Sequence, residues 1–207
     1  CLIMPENLSI ERRQVMKAFG ADLILVSKEI GMEGARDLAN EMEKKGEGIV
    51  LNQFSNDDNW LAHYKNTGKE ILDATNNRVT HFISAMGTTG TITGVSRRLK
   101  EFNSGIQIIG VQPSDGSQIP GIRKWVDPYI PPIRKKAFID NIMEVSQSES
   151  EEMARRMALE EGIFCGPSGA GALCTALRVA EKLESAVLAF IVCDRGDRYL
   201  STNIFPS

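Results

Sequence analysis

The chain has 207 residues, of which 42% are hydrophobic and 25% charged, a composition typical of a globular protein with a buried core. The net charge of −3 and the absence of a long apolar run give no reason to expect nucleic acid or a membrane as a partner. The two histidines and four cysteines lack a metal-ligand spacing, so we expect no metal site and reduced thiols in the cytoplasm.

Apolar runs and amphipathic periods alternate along the first third of the chain. This pattern predicts strands at 1–5, 21–26 and 49–51 and helices at 9–19, 32–45 and 60–72. Because the chain opens on an apolar strand, we expect it to be incomplete at its N-terminus.

The alternation continues beyond residue 80. Strands are predicted at 81–86, 106–111, 142–145 and 186–192, and helices at 92–102, after a capping box at Ser148-x-x-Glu151, and after 162–171. Repeated alternation of strand and helix predicts an α/β fold of parallel sheets covered by helices. Polar and turn residues at 52–59 indicate a boundary between two lobes.

One loop carries the clearest chemical signal. Gly87-Thr88-Thr89-Gly90-Thr91 connects a predicted buried strand to an amphipathic helix. Such a loop offers backbone N–H groups, the positive end of a helix dipole and three hydroxyls, which together suit a phosphate. The loop matches neither a nucleoside triphosphate loop nor a dinucleotide fingerprint, so a smaller phosphorylated ligand is favoured. A plain tight connection is the competing interpretation.

Several other residues have ordinary explanations when each is taken alone. Ser168 suits the N-cap of a helix, and Asp194 lies in a charged segment that suits a surface turn. Gly121 suits a loop, Gln53 a solvated position after a strand, and Cys193 a buried core position.

Taken together, the order and wording of these segments resemble a known family. They are residues 86–96 (Met-Gly-Thr-Thr-Gly-Thr-Ile-Thr-Gly-Val-Ser), 119–125 (Ile-Pro-Gly-Ile-Arg-Lys-Trp), 161–166 (Glu-Gly-Ile-Phe-Cys-Gly) and 193–202 (Cys-Asp-Arg-Gly-Asp-Arg-Tyr-Leu-Ser-Thr). The chain resembles the fold-type II pyridoxal-phosphate enzymes related to the tryptophan synthase β subunit, and among them the bacterial cysteine synthases of the B type. The last segment favours the B type over the A type and over cystathionine β-synthase.

The resemblance implies a fold of two three-layer lobes with parallel sheets. Residues 1–55 are expected to form part of a smaller, mobile lobe, and residues 56–207 a larger lobe that binds pyridoxal 5'-phosphate. Members of the family are usually homodimers.

The resemblance also assigns the cofactor site. It implies that Gly87, Thr88, Thr89, Gly90 and Thr91 hold the cofactor phosphate. It further implies that the hydroxyl of Ser168 lies beside the pyridine nitrogen.

The resemblance places a second group of residues on the substrate side of the cofactor. Gln53 is expected to face the substrate carboxylate, and Gly121 to line the same side. Arg123, together with Lys124, is a candidate for attracting an anionic sulfur donor. Cys193 and Asp194 are expected near the ring end of the cofactor.

The implied reaction is cysteine biosynthesis from O-acetyl-L-serine and sulfide or thiosulfate by β-replacement. A Schiff-base lysine within Asn-Pro-x-Gly-Ser-x-Lys would be needed, and the 207 residues hold no such segment. We therefore expect this lysine N-terminal to Cys1 and expect the 207 residues alone to be inactive. The alternative is a truncated, non-catalytic remnant that binds pyridoxal phosphate or another protein.

Overall fold

The computed structural model describes residues 1–205 and contains two compact units. The first unit comprises residues 1–52 and the segment that begins at residue 197, and the second comprises residues 53–196.

The first unit is built on a parallel pair of short strands. Strands β1 (Leu2–Pro5) and β2 (Leu23–Val26) pair in parallel, with helix α1 (Ile10–Ala18) between them and helix α2 (Gly31–Lys44) after them. The predicted strand at 49–51 is absent from the described structure. Ile49 is 88% and Leu51 is 80% exposed there, so neither packs against a sheet.

The segment after residue 196 belongs to this first unit, although the sequence assigned it to the larger lobe. Ser201 donates from its backbone N–H and its hydroxyl to the Glu11 carboxylate, over 2.9 and 2.8 Å. The Arg12 guanidinium lies 4.8 Å from the centre of the Tyr199 ring. These contacts attach the 3₁₀-helical stretch Gly196–Thr202 to α1.

The second unit contains a four-stranded parallel sheet. Its strands, in chain order, are β3 (His81–Ala85), β4 (Gln107–Pro113), β5 (Asn141–Val145) and β6 (Leu188–Phe190), and their order in the sheet is β5-β4-β3-β6. The helices are α3 (Asp57–Ala62), α4 (Gly68–Ala74), α5 (Gly90–Phe102), α6 (Gln147–Glu161) and α7 (Pro167–Ala180).

Neighbouring residues on the two central strands face opposite sides of the sheet. Phe82 and Ile108 belong to one buried cluster, which also contains apolar residues of α4 and α5. Ile83 and Ile109 belong to a second buried cluster, which contains residues of α7. The alternation of a strand therefore creates two cores and a three-layer unit, as the sequence predicted.

Two helix boundaries differ from the sequence-based expectation. The capping box of α6 is formed by Ser146 and Glu149, whose side chains bond each other's backbone N–H groups, and not by Ser148 and Glu151. The predicted helix at 60–72 contains a π-helical turn at His63–Thr67 between α3 and α4.

Helix α5 lies very close to the segment formed by α3 and the π-helical turn. A Cβ atom at Gly94 would lie 2.2 Å from the Trp60 carbonyl oxygen and 2.6 Å from the Tyr64 backbone nitrogen. Both neighbours are backbone atoms, so no side-chain rotation can relieve the overlap. Only glycine allows this approach.

We therefore expect Gly94→Ala to lower the free energy of unfolding by at least about 2 kcal/mol, because the methyl group must push two backbone segments apart. Urea denaturation followed by tryptophan fluorescence is a suitable measurement, since Trp60 and Trp125 both lie in the second unit. Gly105→Ala is the matched control, because its new Cβ would meet only the end of the Asn103 side chain, at 3.2 Å. Equal destabilisation by both substitutions would contradict the packing argument.

His63 connects the π-helical turn to α5. Its Nδ1 lies 3.0 Å from Thr67 Oγ1, and its Nε2 lies 3.2 Å from Thr91 Oγ1. Burial lowers the pKa of His63 below its ordinary value of 6.5. The ring is therefore neutral at pH 7.

The lowered pKa of His63 predicts a pH dependence of stability. Just below pH 6.5 the unfolded chain binds a proton at His63 that the folded chain does not, so acidification lowers the free energy of unfolding. We expect His63→Gln to flatten this decline between about pH 6.5 and about pH 5, as measured by urea denaturation. His81→Gln should flatten the decline as well, because burial also lowers the pKa of His81. An unchanged slope in His63→Gln would refute the assignment.

Candidate functional site

The loop between β3 and α5 has the geometry of an anion-binding turn. Thr89 adopts a left-handed φ of +69° immediately before α5 begins at Gly90. Within residues 1–205, the backbone N–H groups of Gly87, Thr88 and Thr89 form no hydrogen bond. The Thr89 hydroxyl is also buried, and it has no partner among the described residues. These donors, at the positive end of a helix, suit a phosphate group.

The other two threonine hydroxyls of the loop contact residues of α3, of the π-helical turn and of α5. Thr88 Oγ1 accepts from Asn59 Nδ2 over 3.1 Å and from the Gly90 N–H over 3.3 Å. Thr91 Oγ1 contacts the ring of His63. Asn59 and His63 carry no sequence signal of a binding site, because the helix predicted at 60–72 is recognisable only by its apolar face.

Gly121 and Ser168 lie next to the loop. A Cβ at Gly87 would lie 2.7 Å from the Gly121 carbonyl oxygen, and a Cβ at Gly121 would lie 3.3 Å from Ser168 Oγ. The Trp125 indole N–H donates to the Gly87 carbonyl over 2.6 Å and fixes the segment that contains Gly121. Three residues predicted from separate motifs thus meet at one place.

Ser168 is not the N-cap of α7. The N-cap is Gly166, and Pro167 occupies the first turn, so Ser168 lies inside the helix with 3% of its surface exposed. Its hydroxyl is near enough to the Cys193 thiol to lower the pKa of that thiol, against the larger effect of desolvation. The hydroxyl of Ser168 is therefore not needed to cap the helix.

Cys193 and Asp194 follow the last strand of the sheet and lie beside α7. A Cβ at Gly169 would lie 3.6 Å from the Cys193 backbone nitrogen, and the Gly166 N–H donates to the Asp194 carbonyl over 3.1 Å. Cys193 is an exposed residue and not the buried core position that the sequence suggested. Desolvation of its sulfur, followed by the charge of Asp194, nevertheless raises the pKa of the Cys193 thiol. Burial likewise raises the pKa of Cys165 to about 11, so both thiols are protonated at pH 7.

Gln53 reaches the same loop through Asn59. Asn59 Nδ2 donates to the Gln53 carbonyl over 2.6 Å, while the same nitrogen contacts Thr88. Gln53 itself is exposed. Two open surface depressions, of 550 and 570 Å³, lie elsewhere and are lined by none of the predicted site residues.

Arg123 and Lys124 differ sharply in their surroundings. Lys124 Nζ forms ion pairs with Asp115 over 2.6 Å and with Glu144 over 2.8 Å. These two carboxylates raise the pKa of Lys124, and their two negative charges exceed its one positive charge. Arg123 is half-buried, and its backbone N–H donates to the Met86 carbonyl over 2.9 Å, next to the loop. Arg123 is therefore the better candidate for attracting an anion.

The donor set fits the phosphate of pyridoxal phosphate and its ring nitrogen. Unused N–H groups and the partnerless Thr89 hydroxyl suit the phosphate oxygens, which only accept hydrogen bonds at their charged positions. The buried Ser168 hydroxyl provides a neutral partner at a short distance from Gly121. The described residues contain no cluster of three potential metal ligands, and no described helix is long and apolar enough to cross a membrane.

Comparison with known proteins identifies close relatives of the chain. The chain is 55% identical to cysteine synthase B of Pseudomonas aeruginosa over 204 residues, which are 99% of this chain and 68% of that protein. It is also 55% identical to cysteine synthase B of Escherichia coli, covering 99% of this chain and 67% of that protein. The chain thus spans about two thirds of the length of these relatives.

A solved structure and a family model lead to the same assignment. The crystal structure of cysteine synthase (OASS) from Entamoeba histolytica matches with a TM-score of 0.86 and 39% identity, covering 98% of this chain and 63% of that one. Residues 1–194 match the model of the pyridoxal-phosphate dependent enzymes. The predicted family, α/β fold and cofactor are confirmed: the chain belongs to the pyridoxal-phosphate dependent enzyme family.

Proposed function

We propose that this chain serves cysteine biosynthesis as a cysteine synthase of the B type, which converts O-acetyl-L-serine and sulfide or thiosulfate into cysteine by β-replacement. The observation that carries the proposal is the meeting of Gly87, Gly121 and Ser168 beside a loop of unused donors. The names of the 55% identical relatives support the same reaction.

In this proposal the loop binds the cofactor phosphate. The N–H groups of Gly87, Thr88 and Thr89, with the N-terminus of α5, supply fixed dipoles that need no rearrangement when the anion arrives. The Thr88, Thr89 and Thr91 hydroxyls add hydrogen bonds. Glycine at position 90, where α5 begins, leaves room for the Asn59 amide, since a Cβ there would lie 1.9 Å from Asn59 Oδ1.

Ser168 is proposed to bind the ring nitrogen. A serine hydroxyl is neutral at pH 7 and does not hold a proton on that nitrogen as a carboxylate would. Pyridoxal phosphate, when bound, supplies an electron sink for elimination and replacement at the β-carbon of an amino acid. Gly121 has no Cβ, and a Cβ there would lie 3.3 Å from Ser168 Oγ. Glycine at this position is therefore proposed to leave room for the ring beside Ser168.

The substrate side is proposed to consist of Gln53, Gly121, Arg123, Cys193 and Asp194. Gln53 would bind the substrate carboxylate through its side-chain amide. The Arg123 guanidinium would attract the anionic sulfur donor. Cys193 and Asp194, on the segment next to Ser168, would border the ring end of the cofactor.

The Schiff-base lysine is proposed to lie outside these residues. No lysine of this sequence stands in an Asn-Pro-x-Gly-Ser-x-Lys segment, and the expected position is N-terminal to Cys1. The alternative function, a non-catalytic remnant that binds pyridoxal phosphate or a protein, makes no use of this lysine. We also propose a homodimer in the cytoplasm, where four free cysteines remain reduced.

The proposal predicts that the 207-residue protein binds pyridoxal phosphate without forming a specific lysine adduct. In a titration followed by equilibrium dialysis, we expect binding to saturate at one cofactor per chain. Borohydride treatment followed by peptide mass spectrometry should label no single lysine preferentially. Gly87→Ala should weaken binding at least about tenfold, because its Cβ would press on the Gly121 carbonyl at 2.7 Å.

Gly105→Ala is the control for this experiment, because Gly105 follows the C-terminal end of α5 and the loop precedes its N-terminal end. This variant should bind the cofactor as the unchanged protein does. Stoichiometric labelling of one lysine would show that the chain contains its own Schiff-base residue and would refute its assignment outside the chain. Absence of saturable binding would refute the cofactor site and leave the protein-binding remnant as the better explanation.

The unequal surroundings of Arg123 and Lys124 predict unequal roles. With pyridoxal phosphate at saturation, we expect Arg123→Ala to weaken thiosulfate binding about tenfold to about a hundredfold, the range for a hydrogen bond to a charged group. Lys124→Ala should change it less than about twofold, since Asp115 and Glu144 already offset that charge. Isothermal titration calorimetry measures both, and a larger effect of Lys124→Ala would contradict the assignment.

A further inference from the structure

Asn59 joins two parts of the candidate site with one side-chain nitrogen. Its Nδ2 donates one proton to the Gln53 carbonyl over 2.6 Å and the other to Thr88 Oγ1 over 3.1 Å. The orientation of the amide is fixed by chemistry, because a carbonyl oxygen only accepts and must therefore face the nitrogen. Both protons of Asn59 Nδ2 are thus in use.

The Thr88 hydroxyl is left with a single role. Its oxygen accepts from Asn59 Nδ2 and from the Gly90 N–H, which lies 3.3 Å away. A hydroxyl has two acceptor positions and one proton, so both acceptor positions are filled. Thr88 therefore meets any third partner as a donor. A phosphate oxygen is such a partner, because it accepts.

The shape of the surroundings holds Asn59 in this position. Gly90, the first residue of α5, has no Cβ, and a Cβ there would lie 1.9 Å from Asn59 Oδ1. The amide is therefore seated against the helix N-terminus. An aspartate would have the same shape but no protons for Thr88 or the Gln53 carbonyl, and it would place a negative charge beside the phosphate loop.

We propose that Asn59 is a positioning residue for the cofactor phosphate. It orients the Thr88 hydroxyl as a donor toward the phosphate and holds the Gln53 backbone against the same loop. The inference rests on the proposed function, since the phosphate is that of pyridoxal phosphate. Asn59 acts through Thr88 and does not itself bind the cofactor.

A double-mutant cycle between Asn59 and Thr88 tests this coupling. We expect Asn59→Ala to weaken the binding of pyridoxal phosphate to the 207-residue protein about tenfold, the value of one charge-assisted hydrogen bond. In a Thr88→Val background the same substitution should weaken it less than about twofold, because the hydroxyl that Asn59 orients is gone. The ³¹P chemical shift of the bound phosphate should change in each single variant and change little further in the double variant.

Thr75→Val is the matched control, because the Thr75 hydroxyl bonds the Ile71 carbonyl at the end of α4. Any effect of Thr75→Val on the free energy of binding pyridoxal phosphate should simply add to that of Asn59→Ala. Asn59→Asp, which keeps the shape of the side chain, should weaken binding at least as much as Asn59→Ala and guards against loss of folding. Normal binding by Asn59→Asp, or additive effects of Asn59→Ala and Thr88→Val, would overturn the inference while leaving the proposed function intact. Failure of the unchanged protein to bind would overturn both.

Discussion

The close approach of α5 to the segment formed by α3 and the π-helical turn is the constraint on which the candidate site depends. Gly90 and Gly94 lie on α5 where any Cβ would overlap that segment, with Asn59 Oδ1 at 1.9 Å and the Trp60 carbonyl at 2.2 Å. Because the two backbones are this close, Asn59 and His63 reach the threonines at the start of α5. A bulkier α5 would move the proposed phosphate loop away from both side chains.

A second helix reaches the same place from the other face of the sheet. Helix α5 packs in one buried cluster and α7 in the other, yet both begin beyond the carboxyl ends of the parallel strands. That edge is where ligands bind in open parallel sheets. Ser168 is available there because Gly166, and not Ser168, is the N-cap of α7. The sheet thus brings the proposed phosphate loop and the proposed partner of the ring nitrogen together from residues about eighty apart in sequence.

The sequence predicts the parts of this arrangement that depend on local pattern. Glycine and threonine after an apolar strand identify the loop at Gly87, and the apolar run at 81–86 identifies β3 as a buried strand. Contacts between distant segments leave no such local pattern. The bond from Asn59 to Thr88 joins residues 29 apart, and the attachment of Ser201 to Glu11 joins residues 190 apart. The strand expected at Ile49 failed for a related reason, because apolar residues form a strand only where a neighbour pairs with them.

The loop combines two kinds of donor that differ in what they require. Backbone N–H groups, such as that of Gly87, are aimed by the path of the chain and need no further support. A hydroxyl rotates, so it donates reliably only when other groups occupy its acceptor positions. Thr88 meets this condition through Asn59 and Gly90, and Thr91 contacts the ring of His63. Thr89 is instead buried with no partner in the described structure, so an incoming phosphate satisfies a group that otherwise costs free energy. The gain from filling the loop is therefore largest where the protein itself leaves a donor unused.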